Sequence, residues 1–443
     1  MKRLLLVTPR WVPHAAPDLQ RVRLSLPYYR SCGWDPVILC IDPKLVDGTL
    51  EPELATTVPD DIRVYTCSAL PQSWTRPLGL GSLGLRAFPS LLEVGLNVIS
   101  REKIDLVFVS TTEFLATSAA RRWSEITGVP YVIDLQDPWR TTYYEQPGAP
   151  RPPGGWKYQF ARGIAWSLEE WSFSRARGFI SVSPRYLEEL GSRYRWFAQR
   201  PSAVVPFGSS SDDFDAAAQV YHGRSAIKRV DPGEVHLVYT GAIGPALPHG
   251  IAAFFSGCQQ YLERHPQQRR HLRIHFVGTH YRSTGSGSPE LMEAARRYGV
   301  ESLVTEIPHR VGYLESLQWQ READALLLVG SPDLAYSPSK LFTYLRAGKP
   351  ILALVFPDSH LETLLEETGG AHLVRFGHSV RLEHSGMGVA HFLSDVCSHE
   401  KTLRRTELDR TLLETRFGQA SLCAQQCALF ERSLSPEFPP LTP

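Results

Sequence analysis

Short apolar runs alternate with longer amphipathic stretches along most of this chain. Residues 2–8, 36–40, 62–66, 104–110, 130–134, 178–182 and 203–207 read as strands. Several are apolar throughout, the pattern of parallel strands covered on both faces by helices. Helices are predicted between them at 18–32, 85–103, 112–127, 156–177 and 184–197. The first is expected to kink at Pro27 and stop at Gly33. A second run has strands at 234–240, 272–277, 304–307, 323–329 and 351–355, with helices at 248–264, 289–298 and 314–322. Repeated strand–helix–strand units imply parallel sheets with right-handed crossovers. The fold class is therefore α/β, with two doubly wound Rossmann-like domains facing an interdomain cleft lined by strand-end loops.

At 443 residues the chain exceeds one ordinary core, and the polar stretch from Gly208 to Gly233 marks a boundary. The domains are expected at 1–207 and 208–415, with a C-terminal helix and proline-bearing tail at 416–443 packing back on the first. A formal net charge of +1 gives no reason to expect a nucleic-acid partner. Seven scattered cysteines and no secretory leader suggest a reduced, cytoplasmic setting. From 151 to 200 there are nine Arg/Lys against four Glu and no Asp, interleaved with tryptophans. That composition admits peripheral contact with the inner membrane face through 156–200.

The most informative chemistry lies in Tyr336-Ser-Pro-Ser-Lys340, which opens a helix ended by Gly348-Lys-Pro350. Ser337 or Ser339 is expected to cap it, with Pro338 in its first turn. The helix start and Lys340 together suit an anion such as a phosphate. At the end of the strand 234–240, Gly241-Ala242 allows close backbone approach to a ligand; Gly278 follows the next strand. Asp134-Leu-Gln136-Asp137-Pro-Trp-Arg140 stands at a strand's C-terminal edge, where ligands bind in such sheets. The loop 9–17, with His14, and the helix carrying Arg21 share that edge.

Other patterns carry less. Gly79-Leu-Gly81-Ser-Leu-Gly84 spells a dinucleotide fingerprint but follows a Pro/Trp-containing loop instead of a strand. Asp213 and Asp215 sit in what reads as a turn. His271/His275 and Cys423/Cys427 lack the third and fourth ligands of a metal site, so they read as packing and no metal is expected.

The chain resembles retaining glycosyltransferases of the GT-B fold, in the broad family-4-like group. Four segments carry the likeness: Tyr239-Thr-Gly241-Ala-Ile, Phe276-Val-Gly278, Ala323-Asp-Ala-Leu-Leu327, and most specifically Ser339-Lys340-Leu-Phe-Thr-Tyr344-Leu-Arg-Ala-Gly348-Lys-Pro-Ile351. The resemblance implies retaining transfer of a sugar, in glycan biosynthesis, from a nucleotide-sugar bound by the second domain. Gly241, Ala242, Gly278, Ser337, Ser339, Lys340 and Thr343 would line the donor. Lys340, Asp137 and Arg310 would be catalytic, and His14, Arg21, Gln136 and Arg140 would face the acceptor. That acceptor would be a polysaccharide, a lipid-linked molecule or a small molecule. No cofactor or essential metal is implied.

The chain departs from the family pattern in several places. Gln136-Asp137 stands where the family has His-Asp, and Thr343 and Ala335 stand where it has glutamates. The Arg and Lys that many members place after the Gly-loop are absent from 241–250, and His280, Arg282 or Arg310 are candidates to compensate. Two alternatives stay open. One is a non-catalytic binding or scaffold protein; the other is a nucleotide-sugar 2-epimerase recruiting Asp137 and His309.

Overall fold

A computed structural model describes residues 1–75, 81–145, 151–152, 155–244, 247–280, 289–377, 379–398 and 408–435. The chain divides into two compact units, Met1–Gly208 with Gly418–Pro443, and Ser209–Phe417.

Unit 1 holds β1 (Lys2–Val7), β2 (Trp34–Ile41), β3 (Arg63–Cys67), β4 (Leu106–Ser110), β5 (Tyr131–Leu135), β6 (Gly178–Ser181) and β7 (Ser202–Val204). All pair in parallel, in the order β3-β2-β1-β4-β5-β6-β7. Leu4, Leu5, Leu6 and Val7 are fully buried, because β1 is covered on both faces. The helix Gln20–Tyr29 contains Pro27 and continues as a 3-10 turn to Cys32, stopped by Gly33 at φ +87°.

The helix Gln419–Leu434 packs on unit 1. Tyr29 stacks on Phe430 at 6.4 Å, and its hydroxyl donates to Gln426 Oε1 at 2.9 Å.

Unit 2 holds β8 (Val235–Thr240), β9 (Leu272–Val277), β10 (Val304–Ile307), β11 (Ala325–Val329), β12 (Ile351–Val355) and β13 (Ala371–Arg375). They too are all parallel, in the order β10-β9-β8-β11-β12-β13. In both units the first strand is central and the chain grows outward first on one side, then on the other. The order reverses between β1 and β4 in unit 1 and between β8 and β11 in unit 2. Those reversals open a crevice at the carboxyl ends of the strands.

Two expectations are corrected. The stretch after Gly208 is not a turn but a helix, Ser211–Val220, whose cap Ser210 accepts from the Asp212 N–H at 3.1 Å. Asp213 and Asp215 then point from different sides of a helix, so they do not form a ligand pair. The helix at Lys340 also starts later than expected, as described below. Gly79 and Leu80 of the Gly79–Gly84 motif, Arg282 and the tail from Pro436 lie outside the described residues.

Candidate functional site

In unit 2, β8 and β11 pair only through Ala325–Leu237 and Leu326–Val238 and then part. Beyond that point the Thr240 N–H donates to the hydroxyl of Tyr344, at 2.8 Å, from the helix Lys340–Ala347. A side chain thus satisfies a backbone donor that the parting strands would leave buried and unpaired. Burial pushes the Tyr344 phenol up to about 12, so it stays protonated at neutral pH.

The loops after β8 and β9 extend the ladder past the strands. The Gly241 N–H donates to the Val277 carbonyl at 2.8 Å, and the Ile243 N–H to Thr279 at 2.9 Å. The Gly278 N–H reaches Ile307 at 2.8 Å. Gly241 (φ +114°) and Gly278 (φ +72°) both adopt the left-handed region, which a side chain disfavours. The Tyr239 hydroxyl donates to the Ala242 carbonyl at 2.9 Å and pins the Gly-loop from below.

Lys340 reaches across to this loop. Its ammonium sits 3.9 Å from the centre of the Tyr239 ring, a cation–π contact. A Cβ on Gly241 would lie 2.8 Å from Nζ, so glycine alone leaves room. Enclosure of the ammonium, with the nearby positive charge of Arg310, pulls its pKa from an ordinary 10.5 down to about 7. A desolvated ammonium that also feels a second positive charge favours an anion there, because a doubly charged ligand relieves both the desolvation and the repulsion. Gly241→Ala is expected to cost ~1–2 kcal/mol of stability through backbone strain. It should also weaken binding of a phosphate-bearing ligand about tenfold by displacing Nζ, as a lost charge-assisted hydrogen bond would. Titration and melting of the variant check both; undiminished affinity would separate Gly241 from the site.

The serines behave differently from expectation. The helix begins at Lys340, with Ser339 at its cap position already in helical geometry (φ −58°, ψ −31°) and making no side-chain cap bond. Pro338 precedes the helix and accepts from the Leu341 N–H at 3.1 Å, which leaves one fewer first-turn amide for a ligand. The Ser337 hydroxyl is buried and has no hydrogen-bond partner, a donor in place for a phosphate oxygen. Thr343 is buried, and its hydroxyl is already committed to the Lys340 carbonyl at 2.9 Å.

In unit 1, the side chains expected to face an acceptor are mostly occupied indoors. Arg21 is buried, donating through Nε to Asp134 Oδ2 at 2.7 Å and to the carbonyls of Val205 at 2.8 Å and Pro206 at 3.3 Å. Gln136 is buried too and donates to Asp134, Ser110 and the Asp18 carbonyl. His14 is buried with Nε2 at 2.9 Å from the Pro43 carbonyl. Arg21, Gln136 and His14 therefore position the strand ends. The sequence missed this because burial of polar groups depends on what tertiary contacts satisfy them.

Arg140 is half-buried. Its backbone N–H donates to Glu169, its guanidinium donates to the Tyr194 hydroxyl at 3.0 Å, and it lies 3.9 Å over the Trp166 ring. Asp137 is exposed just beyond β5.

Sequence reasoning overlooked Arg10, at the crevice between β1 and β4. It is clamped by Asp18 at 3.0 Å and Glu113 at 2.5 Å. Its position directly after a buried strand was the available signal.

Two Rossmann-like parallel-sheet domains make this the GT-B fold of glycosyltransferases. Residues 20–208 match the family of the glycosyl transferase 4-like domain, and no curated protein matches the chain.

Among solved structures, HepE of Anabaena in complex with UDP and glucose is 16% identical, over 98% of this chain and 100% of that one, with a TM-score of 0.58. The UDP-forming α,α-trehalose-phosphate synthase of Burkholderia vietnamiensis is 12% identical over 98% and 95%, with a TM-score of 0.55. A Listeria monocytogenes protein proposed to be a UDP-N-acetylglucosamine 2-epimerase is 13% identical over 97% and 96%, at 0.52. At these identities the likeness is one of fold.

Proposed function

We propose that this protein transfers a glycosyl group from a nucleoside-diphosphate sugar to a hydroxyl acceptor, with retention of configuration. The observation that carries the reading is the enclosed Lys340 ammonium, set between Gly241 and Tyr239 at the crevice where β8 and β11 part. Unit 2 binds the donor: Lys340, the Ser337 hydroxyl and Arg310 hold the diphosphate, and the Gly241-Ala242 and Gly278 loops let the backbone approach it. As the sugar–phosphate bond breaks, the positive charge of Lys340 and Arg310 stabilises the leaving diphosphate. Those cations serve where other enzymes use a divalent metal. A phosphate oxygen of the leaving group accepts the acceptor's proton. Unit 1 supplies the acceptor side through the strand-end loops near Arg10, Asp137 and Arg140. HepE, of the same fold, was solved with UDP and glucose, which makes uridine diphosphates the first donors to try.

Melting the protein against a panel of nucleoside diphosphates and nucleotide sugars tests the donor half, since a ligand of the folded state must raise Tm. At least one is expected to shift it; no shift with any would favour the scaffold reading. Incubating the best sugar nucleotide without acceptor separates transfer from epimerisation, whose product would be a 2-epimer.

The helix Trp156–Ser174 bears exposed Trp156, Phe160 and Trp166 beside Lys157 and Arg162. Among the described residues no helix is long and apolar enough to cross a membrane. We infer surface contact with an anionic leaflet through this helix. The protein should float with anionic vesicles and not with neutral ones. Replacing Trp156 and Trp166 together by alanine should reduce that partition at least about tenfold. Equal flotation with neutral vesicles counts against the assignment.

A further inference from the structure

Cys423 and Cys427 stand one turn apart on the helix Gln419–Leu434, so their side chains leave the same face. From sequence this pair lacks a partner. Tertiary structure supplies one from the far end of the chain: Cys32, in the 3-10 turn that ends at Gly33. The Sγ atoms of Cys32, Cys423 and Cys427 all lie within 4.8 Å of one another. All three belong to unit 1.

Their approach is held by the contacts that lock the two helices. Gln426 accepts from the Tyr29 hydroxyl at 2.9 Å and donates to the Ser25 hydroxyl at 3.0 Å. Phe430 packs on Tyr29, Trp34 and Phe108. The Cys423 thiol reaches the Ser25 carbonyl at 3.6 Å. The sulfurs thus converge within a fixed frame, not on mobile loops.

We propose that Cys32, Cys423 and Cys427 form a binding site for a soft d10 metal ion of the Zn2+ class, joining the C-terminal helix to the first helix of unit 1. Zinc–thiolate bonds are about 2.3 Å long, which places the sulfurs of a tetrahedral site roughly 3.8 Å apart. Rotamer adjustments of under about 1 Å per sulfur therefore close the observed triangle. Cys423 and Cys427 are buried, whereas Cys32 is half-buried and marks the side from which the ion enters. A water takes the fourth position there. Binding exchanges three thiol protons for one dication, leaving a singly negative tris-thiolate complex and releasing three protons to solvent. Affinity accordingly rises with pH. Thiolate sulfur selects soft cations over Mg2+ or Ca2+, so the site is independent of any phosphate chemistry in unit 2.

The test uses the full-length protein, reduced with a phosphine and titrated with Cd2+, whose thiolate complexes absorb in the ultraviolet. One equivalent should develop the sulfur-to-metal band, and Zn2+ should compete it away. Either metal should raise Tm by several degrees, and Mg2+ should not. Cys32→Ser, at the most exposed ligand, should fold, lose the band and lose the Tm shift. Cys258→Ala, in unit 2, should keep both.

A band that persists in Cys32→Ser, or no band at one equivalent, overturns the proposal. If Cys32→Ser does not fold, Cys427→Ser with circular dichroism as the folding check makes the same decision.

Discussion

Replacing Lys340 by alanine is expected to reduce turnover roughly 10²–10³-fold, the loss seen when one preorganised group facing developing charge is removed. Affinity for the nucleoside diphosphate should fall about 10–100-fold, as a charge-assisted hydrogen bond of ~1.5–3 kcal/mol is lost. Steady-state kinetics and titration of the purified variant measure both. Full activity would remove Lys340 from the mechanism.

The same lysine should leave two marks on pH dependence. Its folded pKa, about 7, lies below the ordinary 10.5. Between those values the unfolded chain binds more protons than the folded one, so this group makes stability rise with pH from about 7 upward. Below pH 7 the ammonium is fully charged and the cost of its desolvation is greatest. Lys340→Met should therefore raise Tm most at or below pH 7, with the gain shrinking toward pH 10. A bound diphosphate reverses the shift. At pH 8, where the free enzyme holds Lys340 mostly neutral, binding should take up close to one proton per nucleotide. Calorimetry in buffers of different ionisation enthalpy reads that uptake directly; a buffer-independent enthalpy would contradict an enclosed, neutral lysine.

The second large effect is expected in unit 1. Asp134 is fully buried and gathers Arg21, the Ser110 hydroxyl and Gln136 on one oxygen, Oδ2. Asp134→Ala leaves the Arg21 guanidinium buried against two carbonyls with its counter-charge gone, at a cost of ~3–5 kcal/mol. For a unit of this size that lowers its melting temperature by roughly 10 °C. Arg21→Met combined with Asp134→Leu should cost less than either single change, because no charge is then left uncompensated. Differential scanning calorimetry of the three variants decides; additive losses would show that the pair does not act as a unit.

The strands and most helices were legible because their signal is local: apolar runs without a wet face, and Gly or Pro at their ends. The helix Ser211–Val220 escaped because three serines and three aspartates look like a turn. Only the Ser210 cap and burial of its inner face make it a helix. Lys340 was legible as a cation at a strand-end helix. Its tyrosine platform was not, since Tyr239 lies on another strand and reaches it only through the sheet's topology.

What the sequence determined by itself is the alternation that makes two parallel sheets, and the strand-end loops where chemistry gathers. Those follow from periodicity and turn residues, which act over a few positions. Tertiary structure alone decided which of the polar groups at those loops are available. It buried Arg21, Gln136 and Asp134 in one hydrogen-bonded network on Asp134 Oδ2 and seated Lys340 between Gly241 and Tyr239 with a lowered pKa. It also brought Cys32 to Cys423 and Cys427. Burial and charge interaction depend on distance in space, and chain order does not encode that distance.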